Sequence, residues 1–114
     1  MDVSKRIKKL IEKNKREVIN TLVSELSSEG FSKILSQLDP KTRLKALLMI
    51  EPKKMAKMLL KLPITIRGEF LKGAPSEKIA EVIKWMKDDE AVDILQEMHP
   101  RKAMKVLRCL SEEK

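Results

Sequence analysis

The chain has 114 residues, of which 42% are hydrophobic and 37% are charged, and its formal net charge is +8. This composition excludes a disordered chain, and the length fits one domain with its own core. No apolar run approaches the roughly 18 residues of a membrane span, the single Cys109 excludes an internal disulfide, and the N-terminal residues lack an apolar signal segment, so we expect a cytoplasmic protein.

The first predicted element is a basic helical cap over residues 1–25. Apolar residues recur at helical spacing in its first part, at Val3, Ile7, Leu10 and Ile11. A second, looser pattern follows over residues 14–25, where Asn20 occupies a position that is apolar or small in most later units. Terminal units of a repeat array are expected to be irregular because one side has no neighbour.

From Leu26 onward the chain divides without a gap into seven segments of twelve residues, here called dodecads. Their first position holds Leu26, Leu38, Ile50, Leu62, Ala74, Met86 and Met98. Their ninth position holds Ile34, Ala46, Met58, Phe70, Val82, Ile94 and Val106. Their tenth position holds Leu35, Leu47, Leu59, Leu71, Ile83, Leu95 and Leu107. The spacing of these columns, together with apolar sixth and seventh positions, predicts one amphipathic helix in each dodecad.

Prolines mark the connections between the predicted helices. They occupy the second or third position of five dodecads, at Pro40, Pro52, Pro63, Pro75 and Pro100. Because proline is tolerated in the first turn of a helix and disfavours helix in the residue before it, each proline ends one helix and begins the next. Asp39 is the predicted N-cap before Pro40, and Ser76 and Asp88 are plausible caps of later helices.

Helices of two turns are not stable alone in water, so they must stack on one another. We therefore predict an all-α fold, a right-handed superhelix of the armadillo-like α-solenoid kind. It would contain about eight or nine short helices with a twelve-residue repeat. Residues 26–114 form this superhelix, and residues 1–25 cap it within the same domain.

The positive charge is concentrated in the first two-thirds of the chain. Residues 1–73 contain 17 Lys/Arg and 8 Asp/Glu, a formal charge of +9, whereas residues 74–114 contain 8 and 9, a charge of −1. Such a field attracts acidic partners or nucleic acid, and a solvated Lys-rich surface is the simpler alternative. The predicted partner-binding surface consists of Lys33, Lys45, Lys53, Lys54 and Lys57.

The twelve-residue spacing of three of these lysines leaves their arrangement open. Lys33, Lys45 and Lys57 would form one ladder if successive helices ran alike, and would be split between two faces if helix directions alternated. A protein partner is favoured over nucleic acid because the basic set contains no aromatic platform for stacking bases.

One acidic cluster is a candidate metal site. Asp89 and Asp93 are four residues apart, so they share a helix face, and hard cations prefer such oxygens. The alternative is that these carboxylates favour the dipole at a helix N-terminus. We expect no cofactor beyond weakly bound magnesium. His99 and Cys109 match no catalytic motif, Cys109 is expected to be a buried structural thiol, and we predict that the chain is not an enzyme.

The methionines have two interpretations. Met58, Met86, Met98 and Met104 fall in core columns and are expected to fill the core. Met49, Met55 and Trp85 could instead line an adaptable groove for a partner helix, although core packing is the favoured interpretation.

Two segments, SEKIAEVIKWMKDDEAVDILQEMHPRKAMKVLRCL (76–110) and EPKKMAKMLLKLP (51–63), resemble the intracellular N-terminal domain of the MgtE magnesium channels. The resemblance covers about residues 26–110 and implies a superhelix of short helices. It also implies a regulatory role in which Asp89 and Asp93 match metal-facing carboxylates. The repeat is similar as well to the middle domain of the flagellar motor switch protein G, whose partner-binding turn shares only the pair His99-Pro100.

Together these features predict a non-enzymatic protein-interaction module that binds an acidic protein partner. A weak, sequence-independent nucleic-acid-binding protein is one alternative, and a module that senses magnesium or another divalent cation is a second.

Overall fold

In a computed structural model of the chain, which describes residues 3–112, nine short α-helices and one 3₁₀ turn follow one another with no β-strand among them. The helices are α1 Val3–Glu12, α2 Arg16–Glu25, α3 Ser28–Ser36, α4 Pro40–Met49, α5 Pro52–Met58, α6 Ile64–Gly73, α7 Ser76–Ile83, α8 Asp88–Glu97 and α9 Pro100–Ser111, and the 3₁₀ turn Leu59–Lys61 extends α5. The all-α class and the number of helices are confirmed. The predicted cap and superhelix also include residues 1, 2, 113 and 114, which lie outside the described residues.

The helix boundaries fall where the prolines predict them. Pro40, Pro52 and Pro100 are the first residues of their helices, and Pro63 and Pro75 immediately precede theirs. Within residues 3–112, none of the helices is both long enough and apolar enough to span a bilayer.

Three N-caps were predicted and one is confirmed. The Asp39 carboxylate accepts a hydrogen bond from the backbone N–H of Thr42 at 3.1 Å, so it caps α4. The prediction for Ser76 and Asp88 is wrong, since each is the first helical residue and Pro75 or Lys87 holds the cap position. At α8, a glutamate in the first turn replaces the cap: Glu90 Oε1 accepts a hydrogen bond from the Lys87 N–H at 3.1 Å.

The core follows the predicted columns. All residues of the first and ninth columns are buried or half-buried, and so is the tenth column except Leu107, which is 45% exposed. Met58 and Met98 are buried and Met86 packs at the core edge, whereas Met104 is 53% exposed, so its assignment to the core is wrong. Because Met104 lies on the last helix of the described chain, no further helix covers it.

Alternate helices pack against each other, so the array has two rows. One row consists of α5, α7 and α9. The other row includes α4 and α6, which pack against each other. At the N-terminal end, α1 packs on α2 and α4, and α2 packs on α3, α4 and α5. The Cα atoms extend 46 × 26 × 22 Å, as expected for stacked units. The handedness of the superhelix stays a prediction.

Lysines at one repeat position link successive helices of the first row. Lys78 Nζ in α7 donates to the Ile50 carbonyl at 3.3 Å, and Lys102 Nζ in α9 donates to the Ala74 carbonyl at 2.7 Å. Both lysines occupy the fifth position of their dodecad and both acceptors occupy the first position two dodecads earlier. Burial lowers the pKa of the Lys78 ammonium. These bonds satisfy carbonyl groups in the connections that the helix ladders leave free.

In the other row, arginines donate to carbonyl groups in the connection just before their own helix. Arg43 Nη1 donates to the Leu38 carbonyl at 2.7 Å, and Arg67 Nη1 donates to the Leu62 carbonyl at 3.0 Å. Both arginines occupy the sixth position, again 24 residues apart. Arg43 also forms a two-point ion pair with Glu69, at 2.6 and 2.7 Å. The structural unit is therefore a pair of dodecads, and its period is 24 residues.

One buried polar side chain joins the N-terminal helices to the repeat. Asn20 is 4% exposed, its amide nitrogen donates to the Met49 carbonyl at 2.9 Å, and its amide oxygen accepts from the Glu51 N–H at 2.8 Å. Asn20 thereby satisfies both backbone groups that flank Ile50 in the connection between α4 and α5.

Candidate functional site

A basic groove lies between α2, the start of α3, and α5 with its 3₁₀ extension. Its volume is about 490 Å³. The lining residues are Val23, Ser24, Ser28, Glu51, Lys53, Lys54, Lys57, Met58 and Lys61. Four of these nine side chains carry an ammonium group, and only Glu51 carries a carboxylate. We refer to this feature as the basic groove.

Helical spacing places the lysines along the groove. Lys53, Lys57 and Lys61 follow one another at intervals of four residues on α5 and its extension. Residues four apart lie on one face of an α-helix, so Lys53 and Lys57 share a face of α5. Lys61, on the 3₁₀ extension, lines the same groove. The hydroxyl groups of Ser24 and Ser28 line the groove as well and can donate or accept hydrogen bonds.

The lysines differ in how they are held. Lys54 Nζ donates to the Asn20 carbonyl at 3.1 Å and lies 3.7 Å from Glu51 Oε1, so it also supports the fold. Lys53 Nζ lies 5.2 Å from the ring centroid of Trp85, within the range of a cation–π contact. Among residues 3–112, Lys57 and Lys61 have no ion-pair or hydrogen-bond partner. Their charge is available to a ligand.

Three of the five lysines predicted for the partner-binding surface meet in the groove, namely Lys53, Lys54 and Lys57. Lys33 is exposed on α3 and Lys45 on α4, and neither lines the groove. Lys45 on α4 and Lys57 on α5 belong to different rows of helices, so the position-eight lysines do not all lie in one row. Lys61 was not predicted, although its spacing of four residues from Lys57 was a usable signal.

The candidate metal residues Asp89 and Asp93 both lie exposed on α8. In the part of the chain that the structure describes, no three His, Cys, Asp or Glu side chains come together in a way that could hold a metal ion. Two carboxylates alone would leave most of a magnesium coordination shell to water. Their role in metal binding stays a prediction.

His99 and Cys109 have structural settings. His99 Nδ1 accepts a hydrogen bond from the Arg101 N–H at 3.1 Å and so caps α9, a role that the sequence analysis missed. Cys109 is half-buried at the edge of the core rather than fully buried. Neither residue lines the basic groove.

The alternative that Met49, Met55 and Trp85 line one groove is wrong. Met49 is 3% exposed and Met55 0%, so both belong to the core, while Trp85 is 58% exposed. The favoured interpretation of core packing holds for both methionines.

The fold and the groove together define an all-helical repeat domain with a lysine-lined surface. Comparison with known protein families gives a match over residues 26–114 to the family described as the MgtE intracellular N domain. The chain belongs to this family.

Comparison with solved structures finds similarity to one described as the crystal structure of the soluble part of a magnesium transporter. The sequence identity is 13% and the TM-score is 0.44. The similarity covers 93% of this chain but 47% of the other, so this chain spans about half the length of that structure. No curated protein matches the chain.

Proposed function

We propose that the chain is a non-enzymatic, cytoplasmic interaction module that holds an acidic segment of another protein in its basic groove. The observation that carries the proposal is that Lys53, Lys57 and Lys61 line one groove. Among residues 3–112, Lys57 and Lys61 have no ion-pair or hydrogen-bond partner. Family membership supports a regulatory role, since the resemblance to the MgtE channels implies one.

The chemistry of the groove favours an acidic peptide over nucleic acid. Flexible ammonium groups and two serine hydroxyls can meet carboxylates in several arrangements, and complementary charge brings such a partner to the site. Non-specific binding of a single nucleic-acid strand relies on aromatic platforms for its bases, and the groove lining contains none. Trp85 lies beside Lys53 but does not line the groove.

Fluorescence anisotropy with a labelled oligoglutamate peptide tests the proposal. The double variant Lys53→Glu, Lys57→Glu should bind the peptide at least about tenfold more weakly than the wild type. The matched control is Lys41→Glu, Lys45→Glu on α4, which makes the same charge change at the same spacing outside the groove. Its binding should stay near that of the wild type. Equal weakening by both variants would show that overall charge, not the groove, attracts the peptide.

The emission of Trp85, the only tryptophan, supplies a second readout. A peptide that draws Lys53 away from the indole ring should change this emission, and the Lys53→Glu, Lys57→Glu variant should not respond. If an oligonucleotide of the same charge binds as tightly as the peptide, the nucleic-acid alternative is preferred. If magnesium shifts the backbone amide resonances of residues 88–93 in the isolated chain, the cation-sensing alternative gains support.

A further inference from the structure

A second hollow lies between α6 and the connection from α8 to α9. Its volume is about 370 Å³, and it shares no lining residue with the basic groove. Leu71 on α6 and Met98 in the connection are both buried and form its apolar floor. Gly68 also lines it from α6, and Lys72 and His99 lie exposed at its rim. We refer to this feature as the Gly68 hollow.

The 24-residue period of the fold allows the Gly68 hollow to be compared with the same place one pair of dodecads earlier. Lys102, which lines the hollow, donates to the carbonyl of a first-position residue, and Lys78 does the same 24 residues earlier. In the other row, Arg67 and Arg43 donate to carbonyls that are also 24 residues apart. Because these polar contacts recur, the two places have the same framework.

At the earlier place a leucine side chain fills the space. Leu44 is half-buried and packs against the core, and its Cδ2 lies 2.5 Å from the position of a Cβ atom added to Gly73. The residues 24 positions after Leu44 and Gly73 are Gly68 and Glu97, and both line the hollow. A Cβ atom added to Gly68 would have no neighbour within 4 Å. The Gly68 hollow therefore lies where the repeat lacks one leucine side chain.

The rim of the hollow offers positive charge and a hydrogen-bond donor. Among residues 3–112, the Lys72 ammonium group has no ion-pair or hydrogen-bond partner. The Glu97 carboxylate does not neutralise it, since Glu97 pairs with Arg67 at 2.7 Å. His99 Nδ1 accepts from the Arg101 N–H at 3.1 Å, so the proton of the neutral ring is on Nε2, which can donate to a ligand.

We propose that the Gly68 hollow binds a leucine side chain of a partner protein, with an acidic residue next to that leucine against Lys72 and His99. The framework itself identifies the apolar group, because Leu44 occupies the equivalent space within the chain. The charge of the rim identifies the neighbour, because a carboxylate complements the unpaired ammonium group of Lys72. A buried apolar anchor surrounded by polar contacts is the usual arrangement of a protein interface. This site is separate from the basic groove and does not depend on it.

Filling the hollow from within the chain tests the geometry. Gly68→Leu supplies the missing side chain, and Gly68→Ala is the matched control that makes the same change of backbone entropy without reaching the floor. The melting temperature of Gly68→Leu should exceed that of Gly68→Ala by at least about 2 °C, because the leucine gains apolar contacts in the hollow. If Gly68→Leu melts no higher than Gly68→Ala, the hollow does not fit a leucine side chain and the proposal fails.

Methyl NMR of the full chain with the peptide acetyl-Gly-Ser-Leu-Glu-Ser-amide tests the binding. The peptide should shift the Met98 and Leu71 methyl resonances, with half-saturation at or below about 1 mM. The same peptide with alanine in place of leucine should bind at least about fivefold more weakly. Gly68→Leu should abolish the shifts because its own side chain occupies the site.

Two charge variants test the rim of the hollow. Lys72→Glu should weaken peptide binding about three- to tenfold, whereas Lys105→Glu, at an exposed site on α9 outside the hollow, should bind as the wild type does. Equal binding by Lys72→Glu and Lys105→Glu would refute the contact with the carboxylate. The proposal also fails if the alanine peptide binds as tightly as the leucine peptide, or if Gly68→Leu responds like the wild type. A response of Met58 alone would place the peptide in the basic groove instead.

Discussion

The seventh repeat position contains two polar residues whose different structural roles could not be predicted from the sequence. Asn20 and Ser32 both interrupt this column. The side-chain amide of Asn20 joins α2 to the connection between α4 and α5 through two hydrogen bonds. The hydroxyl of Ser32 is buried and has no hydrogen-bond partner among the described residues. Both are visible in the sequence as polar residues in a mostly apolar column. The sequence could not distinguish them, because the partners of Asn20 are 29 and 31 residues away.

Replacement of Asn20 should therefore be costly. Asn20→Ala leaves the Met49 carbonyl and the Glu51 N–H without partners in a buried place, and we expect a loss of about 2 kcal/mol in the free energy of unfolding. Urea denaturation measures the change. Ser32→Ala is the matched control, since it removes an unpaired hydroxyl from the same column and should leave stability equal or higher. A loss for Asn20→Ala no larger than for the control would contradict the assigned role.

The ion pair of Arg43 with Glu69 predicts a dependence of stability on pH. Hydrogen bonds from Arg43 hold the pKa of the Glu69 carboxyl below its ordinary value. A carboxyl whose pKa is lower in the folded state stabilises the fold at neutral pH, and this contribution disappears as pH falls through that lowered pKa. Glu69→Gln should thus be less stable at pH 7 by about 1–2 kcal/mol.

The same difference should shrink on acidification, below about pH 4. Unfolding curves of both proteins at several pH values give the comparison. Glu81→Gln, at an exposed site on α7, serves as the control. A gap between wild type and Glu69→Gln that stays constant from neutral to acid pH would show that the pair contributes through packing instead of charge.

At the level of the helices, the repeat predicted most of the outcome. Prolines and apolar columns located the helices from α3 to α9 and most of the core. The sequence analysis missed the two-row arrangement, although its signal was present. Lysine recurs at the fifth position of alternate dodecads and arginine at the sixth position of two of the others, so the charged positions have a period of 24 while the apolar positions have a period of 12. The apolar repeat positions predict which residues are buried. Only the charged repeat positions indicate which of the two rows a helix belongs to.

Helix α6 offers a stabilising substitution. Gly68 lies within this helix, is exposed, and a Cβ atom added to it would have no neighbour within 4 Å. Gly68→Ala should raise the free energy of unfolding by about 0.5–1 kcal/mol, because alanine loses less backbone entropy in a helix.

Gly73 at the end of the same helix provides the comparison for this prediction. A Cβ atom there would lie 2.5 Å from Leu44 Cδ2, so the leucine must move and the gain should be smaller. Thermal or urea unfolding of both variants measures the difference. An equal gain in both would mean that Leu44 moves at no cost.

At the scale of the whole molecule, the sequence predicted a basic surface but only part of its geometry. Lys53, Lys54 and Lys57 come together because they share α5, a local relation that spacing reveals. Lys33 and Lys45 remain apart from them because row assignment is a property of tertiary packing. The exposure of Met104 is likewise a property of tertiary packing, which its place in a mostly apolar repeat column does not predict.

The N-terminal helices should unfold together with the rest of the chain. Ile7, Ile11 and Ile19 are buried in the same core as the repeat residues, and Asn20 is bonded to the α4–α5 connection. Emission of Trp85 in the C-terminal half and far-ultraviolet circular dichroism of all helices should therefore give coincident urea transitions. A separate early loss of helix content, with Trp85 unchanged, would show instead that residues 1–25 form an independent unit.

The alternation of lysine and arginine along the chain constrains how such an array can change in length. Insertion of one dodecad between Ile50 and Lys78 would move the helix of Lys78 into the opposite row, so that Lys78 would no longer face the Ile50 carbonyl that it now binds. Insertion of two dodecads at the same place would keep this helix in its own row. We therefore expect relatives that are longer or shorter within the repeat to differ from this chain by whole pairs of helices.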